Sequence, residues 1–169
     1  MHGRIAMGAI AVAQLATPIG MIVMTADDTR LVSVRITAEA GAASVTGHPV
    51  LAEALSQVRD WFAGQRQDFD LPLVLLDSAE GRALREGIAA IPYGETRTYG
   101  AVAQERGSIA RAVGQACKTN AYLLIIPCHR VTSATGPEFY SAGVGARTKG
   151  WLLDFEQSHL PPEQRTRLL

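Results

Sequence analysis

Apolar and polar positions alternate with a period of two near the start of the chain. Val32, Val34 and Ile36 interleave with Ser33, Arg35 and Thr37, the pattern of a strand with one buried and one wet face. Two more apolar runs precede it, IAVAQLAT (10–17) and MIVMTA (21–26). The turns Pro18-Ile19-Gly20 and Asp27-Asp28-Thr29-Arg30 separate the three runs. Connections this short predict an antiparallel meander. The period then lengthens. Leu51, Leu55, Val58 and Phe62 recur at helical spacing within 48–64, and Gly64 marks the stop. FDLPLVLL (69–76) reads as an extended connector, because Pro72 forbids a central strand.

The pattern changes character near Asp77. Residues 79–90 form a short helix stopped by Ile91-Pro92-Tyr93-Gly94. Two helices follow, 98–107 and 108–118, the second N-capped by Ser108. A tight turn at Gly107 joins them as in a helix-turn-helix. LLIIPCHRV (123–131) reads as a buried strand running straight into Cys128, and a Gly/Ser-rich loop leads to a last helix over roughly 147–157. Two units are therefore expected, a small α/β unit at 1–76 and a more helical one at 77–169. No repeat or low-complexity tract interrupts them.

Composition fits this picture. With 169 residues, 47% hydrophobic and 19% charged, the chain can build a real core and is no disordered tail. Sixteen basic residues balance sixteen acidic ones, but unevenly along the chain. Residues 1–91 carry seven Lys/Arg against ten Asp/Glu, a balance of −3. Residues 92–150 carry seven against three, a balance of +4, and 151–169 carry two against three. An anionic partner is to be sought on the basic middle block. Cys117 and Cys128, the two cysteines, exclude a disulfide scaffold and fit a reducing, cytoplasmic compartment. The four scattered histidines match no zinc spacing. No apolar run approaches a bilayer span, and MHGRIAMGAIAVAQLA imitates a signal peptide but serves better as a strand.

Pro127-Cys128-His129-Arg130 concentrates the candidate chemistry. A cysteine here can be a nucleophile, a metal ligand or plain core. Free thiol titrates near 8.5, so a nucleophile needs a base within reach. Adjacent strand residues point to opposite faces, and His129 can help Cys128 only if Pro127 breaks the strand into a turn. A base so held wants an orienting carboxylate; spacing does not choose it, and Glu156 on the last helix is a candidate. The helix SIARAVGQACK is smooth apart from Arg111, which either fills a space or holds a phosphate, or is the solvated edge of a core helix.

Read together, IPYGETRTYGAVA, ARAVGQA, Asn120, IIPCHRV, YSAG and KGWLLDFE resemble the O6-alkylguanine-DNA alkyltransferases, or methylated-DNA–protein-cysteine methyltransferases. TPIG and FDLPL extend the resemblance over nearly the whole chain. It implies an α/β (α+β) fold class, with a small ribonuclease-H-like domain followed by a winged-helix-like, helix-turn-helix alkyltransferase domain. It implies direct-reversal DNA repair on double-stranded DNA, held by the minor groove with the alkylated guanine flipped out of the stack. The alkyl group passes once, irreversibly, to Cys128, with His129 as base through a water and Glu156 orienting His129. Tyr99 corresponds to the tyrosine that helps rotate the nucleotide and protonates the leaving guanine. Arg111 corresponds to the arginine that fills the vacated space, and Asn120 to the hinge asparagine after the recognition helix. No cofactor, metal or membrane is implied, and the expected state is a monomer. Activity on O4-alkylthymine is left open.

The chain departs from the family pattern in three places. Glu80-Gly81 and Leu84-Arg85 stand where the family has Phe-Gln and Val-Trp, the turn before Ile109 is about two residues shorter, and the 140–151 loop is about two longer. A lesion-binding protein that no longer transfers alkyl groups is therefore a rival reading, and a cysteine hydrolase a more distant one.

Overall fold

The computed structural model describes residues 10–134, apart from 40, 43 and 45, and residues 145–165. The YSAG element, most of the Gly/Ser-rich loop, the first part of the 140–151 loop and the start of the signal-like segment lie outside the described residues. The chain divides into two compact units. The first is 1–75 with 121–125, and the second is 76–120 with 126–169. One segment thus leaves the second unit and returns to the first, which no single boundary reproduces.

In the first unit, β1 (Ala11–Thr17), β2 (Gly20–Ala26) and β3 (Leu31–Thr37) form the expected antiparallel meander, with Leu15 opposite Ile22 and Met24 opposite Val34. α1 (Pro49–Phe62) covers one face. It buries Leu51, Leu55, Val58 and Trp61 against the sheet. His48 caps it, its Nδ1 accepting from the Leu51 N–H while Nε2 bonds the Asp27 carbonyl at 2.9 Å. Gly64, at φ 76, follows the C-terminus as the sequence predicts. Gln57 binds both backbone groups of Asp70 and so ties down the extended connector.

The outer edge of β3 takes two strips of chain. The Leu31 N–H donates to Pro72, and the Val34 N–H to Ala121. Tyr122 fixes this edge further, donating its hydroxyl to the Leu31 carbonyl and accepting from the Val74 N–H.

In the second unit, α2 (Ala79–Ala89) is capped by Ser78, and α3 (Tyr99–Glu105) by Thr98. α4 (Ala110–Lys118) packs on α3 across a turn at Gly107. Here the sequence reading needs correction. The N-cap of α4 is Ile109, which offers no side-chain bond, and Ser108 instead donates its hydroxyl to Glu80. A short parallel pair, β4 (Arg97–Thr98) with β5 (Val131–Thr132), was not visible in the pattern. α5 (Gly145–Ser158) completes the unit.

The expected strand 123–131 is absent. Tyr122 makes one isolated bridge to Val34, and the chain then tightens through two turns. The Ile125 N–H bonds Leu123 and the Cys128 N–H bonds Ile126, each two residues back. These are γ-turns. Pro127 sits in the relaxed form at φ −78, ψ 66, while Leu124, at φ 74, has the strained sign. Every residue from Tyr122 to Val131 is nevertheless buried. The apolar run reported burial correctly but not conformation, because a short buried run carries no period to read.

Candidate active site

Cys128 opens a 3-10 turn, Cys128–Arg130, directly after the Pro127 γ-turn. The turn removes the strand geometry that would set Cys128 and His129 on opposite faces. Its thiol is 1% exposed. The Asn120 side-chain amide donates to Cys128 Sγ at 3.3 Å and to the Ile126 carbonyl at 3.0 Å, so one residue holds both the thiol and the loop that presents it. Cys117, in the last turn of α4, is a second buried free thiol. The influence of Cys117, then burial, pushes the Cys128 thiol well up, against the Asn120 amide and the charge of Lys149. At rest the sulfur is therefore protonated at neutral pH.

Glu156 is the hub for the two residues that follow Cys128. His129 Nε2 lies 2.6 Å from Glu156 Oε2. Arg130 contacts both oxygens, at 3.0 Å and 2.8 Å, and the Gly94 N–H donates to Oε1 at 2.9 Å. Burial opposes ionisation of Glu156, but His129 and Arg130 together more than offset it and leave the carboxyl at about 2. Burial is also the main influence on His129 and lowers its titration despite the carboxylate. An ionised carboxylate only accepts, so Nε2 carries the ring proton and Nδ1 keeps its lone pair. His129 is thus a neutral base with one defined basic nitrogen.

Arg130 also donates to the Ile91 carbonyl and lies over the Tyr93 ring, 5.6 Å from its centre. Burial, then Glu156, pushes Tyr93 up to about 12. Gly94 has φ +83, and a Cβ there would stand 2.5 Å from a Leu160 methyl, so the IPYG turn favours glycine. Lys149, one α5 face two turns before Glu156, is 5% exposed and donates to the Val131 carbonyl at 2.7 Å.

Of the residues singled out from sequence, Cys128, His129, Glu156 and Asn120 converge. Asn120 does so as a thiol partner, in addition to its position just after α4. Tyr99 is the half-buried first residue of α3, and Arg111 the exposed second residue of α4. Cys117, Arg130, Gly94 and Lys149 had been given no role. The seven-residue spacing of Lys149 and Glu156 on a helix was the available signal for one of them. Glu80 and Arg85, the departures on α2, face different tasks: Glu80 accepts from Ser108, and Arg85 lines a cavity of about 320 Å³ with Ala116, Asn120 and Ile126. Among the described residues no helix is long and apolar enough to cross a membrane.

Comparison with known proteins agrees with this arrangement. Residues 10–75 match the ribonuclease-like domain of 6-O-methylguanine DNA methyltransferases, and residues 81–158 their DNA-binding domain. A methylated-DNA–protein-cysteine methyltransferase of Mycolicibacterium paratuberculosis is 36% identical over 151 residues, 86% of this chain and 91% of the relative. The constitutive Bacillus subtilis enzyme of the same name is 33% identical, over 83% of this chain and 92% of its own. The crystal structure of Mycobacterium tuberculosis O6-methylguanine methyltransferase superposes with a TM-score of 0.77 at 30% identity, covering 90% of this chain and 95% of that one. The Mycobacterium tuberculosis OGT in complex with DNA superposes at 0.75 and 32% identity, over 89% and 94%. The α/β architecture of a ribonuclease-like domain followed by a DNA-binding domain is the one expected, and the chain belongs to the methylated-DNA–protein-cysteine methyltransferases, DNA-repair enzymes that move an alkyl group from DNA onto a cysteine.

Proposed function

We propose that Cys128 is the acceptor, and that it takes the alkyl group of O6-alkylguanine in double-stranded DNA once and keeps it. The observation that carries this reading is one buried turn that presents the Cys128 thiol, held by Asn120, immediately before His129, which is paired with Glu156. The thiol proton leaves through a water to His129 Nδ1, and Glu156 stabilises the imidazolium that results. The thiolate attacks the alkyl carbon in line; the S–C bond forms as the C–O6 bond breaks. Tyr99 gives its proton to the departing guanine. The exposed Arg111 on α4 and the positive balance of residues 92–150 support a minor-groove approach with the guanine flipped and Arg111 in its place. The protein acts as a monomer, in a reducing cytoplasm that keeps both cysteines as thiols.

Intact-mass analysis after incubation with O6-benzylguanine or a methylated oligonucleotide tests this directly. One stable adduct, mapped to Cys128 and lost in Cys128→Ala while DNA binding remains, is the expected result. Persistent single-equivalent labelling of Cys128→Ala would overturn the assignment. Absence of any adduct would favour a lesion-binding protein, and repeated turnover a hydrolase.

A further inference from the structure

Ile109 breaks two local rules at one position. It is the N-cap of α4 with no side-chain hydrogen bond, and β-branched apolar residues are among the weakest caps. It is also 64% exposed. The other exposed large apolar residues among those described, Ile10, Val12, Leu75 and Leu76, lie near β1 or in the extended connector. Ser108, one residue earlier, has the hydroxyl that a cap requires, yet that hydroxyl goes to Glu80 at 2.9 Å. The turn that carries Ile109 is firmly held. Gly107 sits at φ 67, and the Ser108 N–H reaches back to the Ala103 carbonyl at 2.8 Å. Ile109, Ala110 and Arg111 then stand exposed in succession at the start of α4. Local rules broken together in this way are expected where function requires it.

We propose that Ile109 is an apolar wedge that opens the base step beside the flipped guanine, next to Arg111 in the vacated space. The proposal rests on the reading of α4 as the helix that enters the minor groove. An Ile side chain has no donor for a phosphate, so a rim contact is not its role. Aliphatic side chains do serve minor-groove proteins as wedges, unstacking a step so that the duplex kinks towards its major groove. Two residues of chain span at most about 7 Å, roughly two base-pair steps, so Ile109 and Arg111 reach neighbouring levels of the stack. Flipping requires the guanine to unstack from its neighbour, and a wedge that has already opened that step lowers the cost. The fixed turn suits this task, because a side chain free to swing aside would yield to the stack.

The test uses the full chain and duplexes carrying O6-methylguanine, with 2-aminopurine placed in turn on either side of the lesion. On mixing, the unsubstituted protein should brighten 2-aminopurine at one of these positions as its stacking is lost. Ile109→Ser improves the cap while removing the wedge, so Tm should rise or stay unchanged. This variant should nevertheless lose the brightening. It should also transfer from duplex about tenfold more slowly, the lower end of what burying one aliphatic side chain contributes. Labelling by free O6-benzylguanine should stay at the parent rate, and Ile109→Leu should keep both duplex signals. Parent-like brightening and duplex rate in Ile109→Ser, with Arg111→Ala slow on duplex, would overturn the wedge and leave the minor-groove reading standing. Parent-like duplex rates in both variants would overturn that reading too. No brightening by the unsubstituted protein, or an equal loss on free O6-benzylguanine in Ile109→Ser, would also overturn the wedge.

Discussion

His129 meets Glu156 through one ring nitrogen and keeps the other as a base, and this division of labour has a kinetic consequence. The Cys128 thiol is held up by Cys117 and by burial, so at neutral pH transfer depends on proton removal at the moment of reaction. His129→Ala should slow labelling by O6-benzylguanine at pH 7 by about 10²–10⁴, the usual span for a lost general base. Because the thiol titrates above its ordinary value, thiolate rises with pH over the accessible range, and the variant should regain part of its rate in alkali. A variant as fast as the parent at pH 7 would make His129 structural only. The cysteine–histidine pair was legible in sequence because adjacency beside a proline admits few other uses. Cys117 and Lys149 were not, since a small apolar-looking residue and a helix-face lysine announce burial only when the packing around them is seen.

The elements around the site differ in how far the chain pattern specified them. The meander, α1 and α2 follow from period and punctuation, and their bounds agree closely with the sequence reading. The strand into Cys128 failed because γ-turns leave no periodic trace, and the cap of α4 was placed one residue early because Ser108 had a better acceptor in Glu80. α4 itself is as smooth as expected, with Val113 and Cys117 buried and Arg111 exposed. If Arg111 replaces a flipped base, Arg111→Ala should slow repair of duplex DNA by tens to hundreds of fold. That follows from an unstacking and unpairing cost of a few kcal/mol. Reaction with free O6-benzylguanine should change little, since the free base needs no flipping. Equal losses on both substrates would assign Arg111 to the fold or the thiol instead.

At the scale of the whole molecule, each unit carries an acid-sensitive group. Asp27 in the first is held below 3.8 by the Thr29 and Arg30 N–H groups and the Arg30 charge, against its partial desolvation. In the second, Glu156 titrates at about 2 against an ordinary 4.5, and His129 below 6.5. In every case the unfolded chain binds its proton first as pH falls, so these groups favour the folded state above their ordinary values and lose that contribution on acidification. Tm should fall from about pH 6.5 downwards, and more steeply below 4.5 as Glu156 begins to lose its contribution. A Tm that rises over that interval would contradict this account. Vectorial synthesis adds a different constraint. β3 is made early, yet Tyr122, which covers its outer edge, lies 91 residues beyond Leu31. At ribosomal rates that edge waits about 5–20 s for its cover, open meanwhile to pairing with another nascent chain. The first unit to emerge from the ribosome is thus completed only when the segment leading into Cys128 has followed it out.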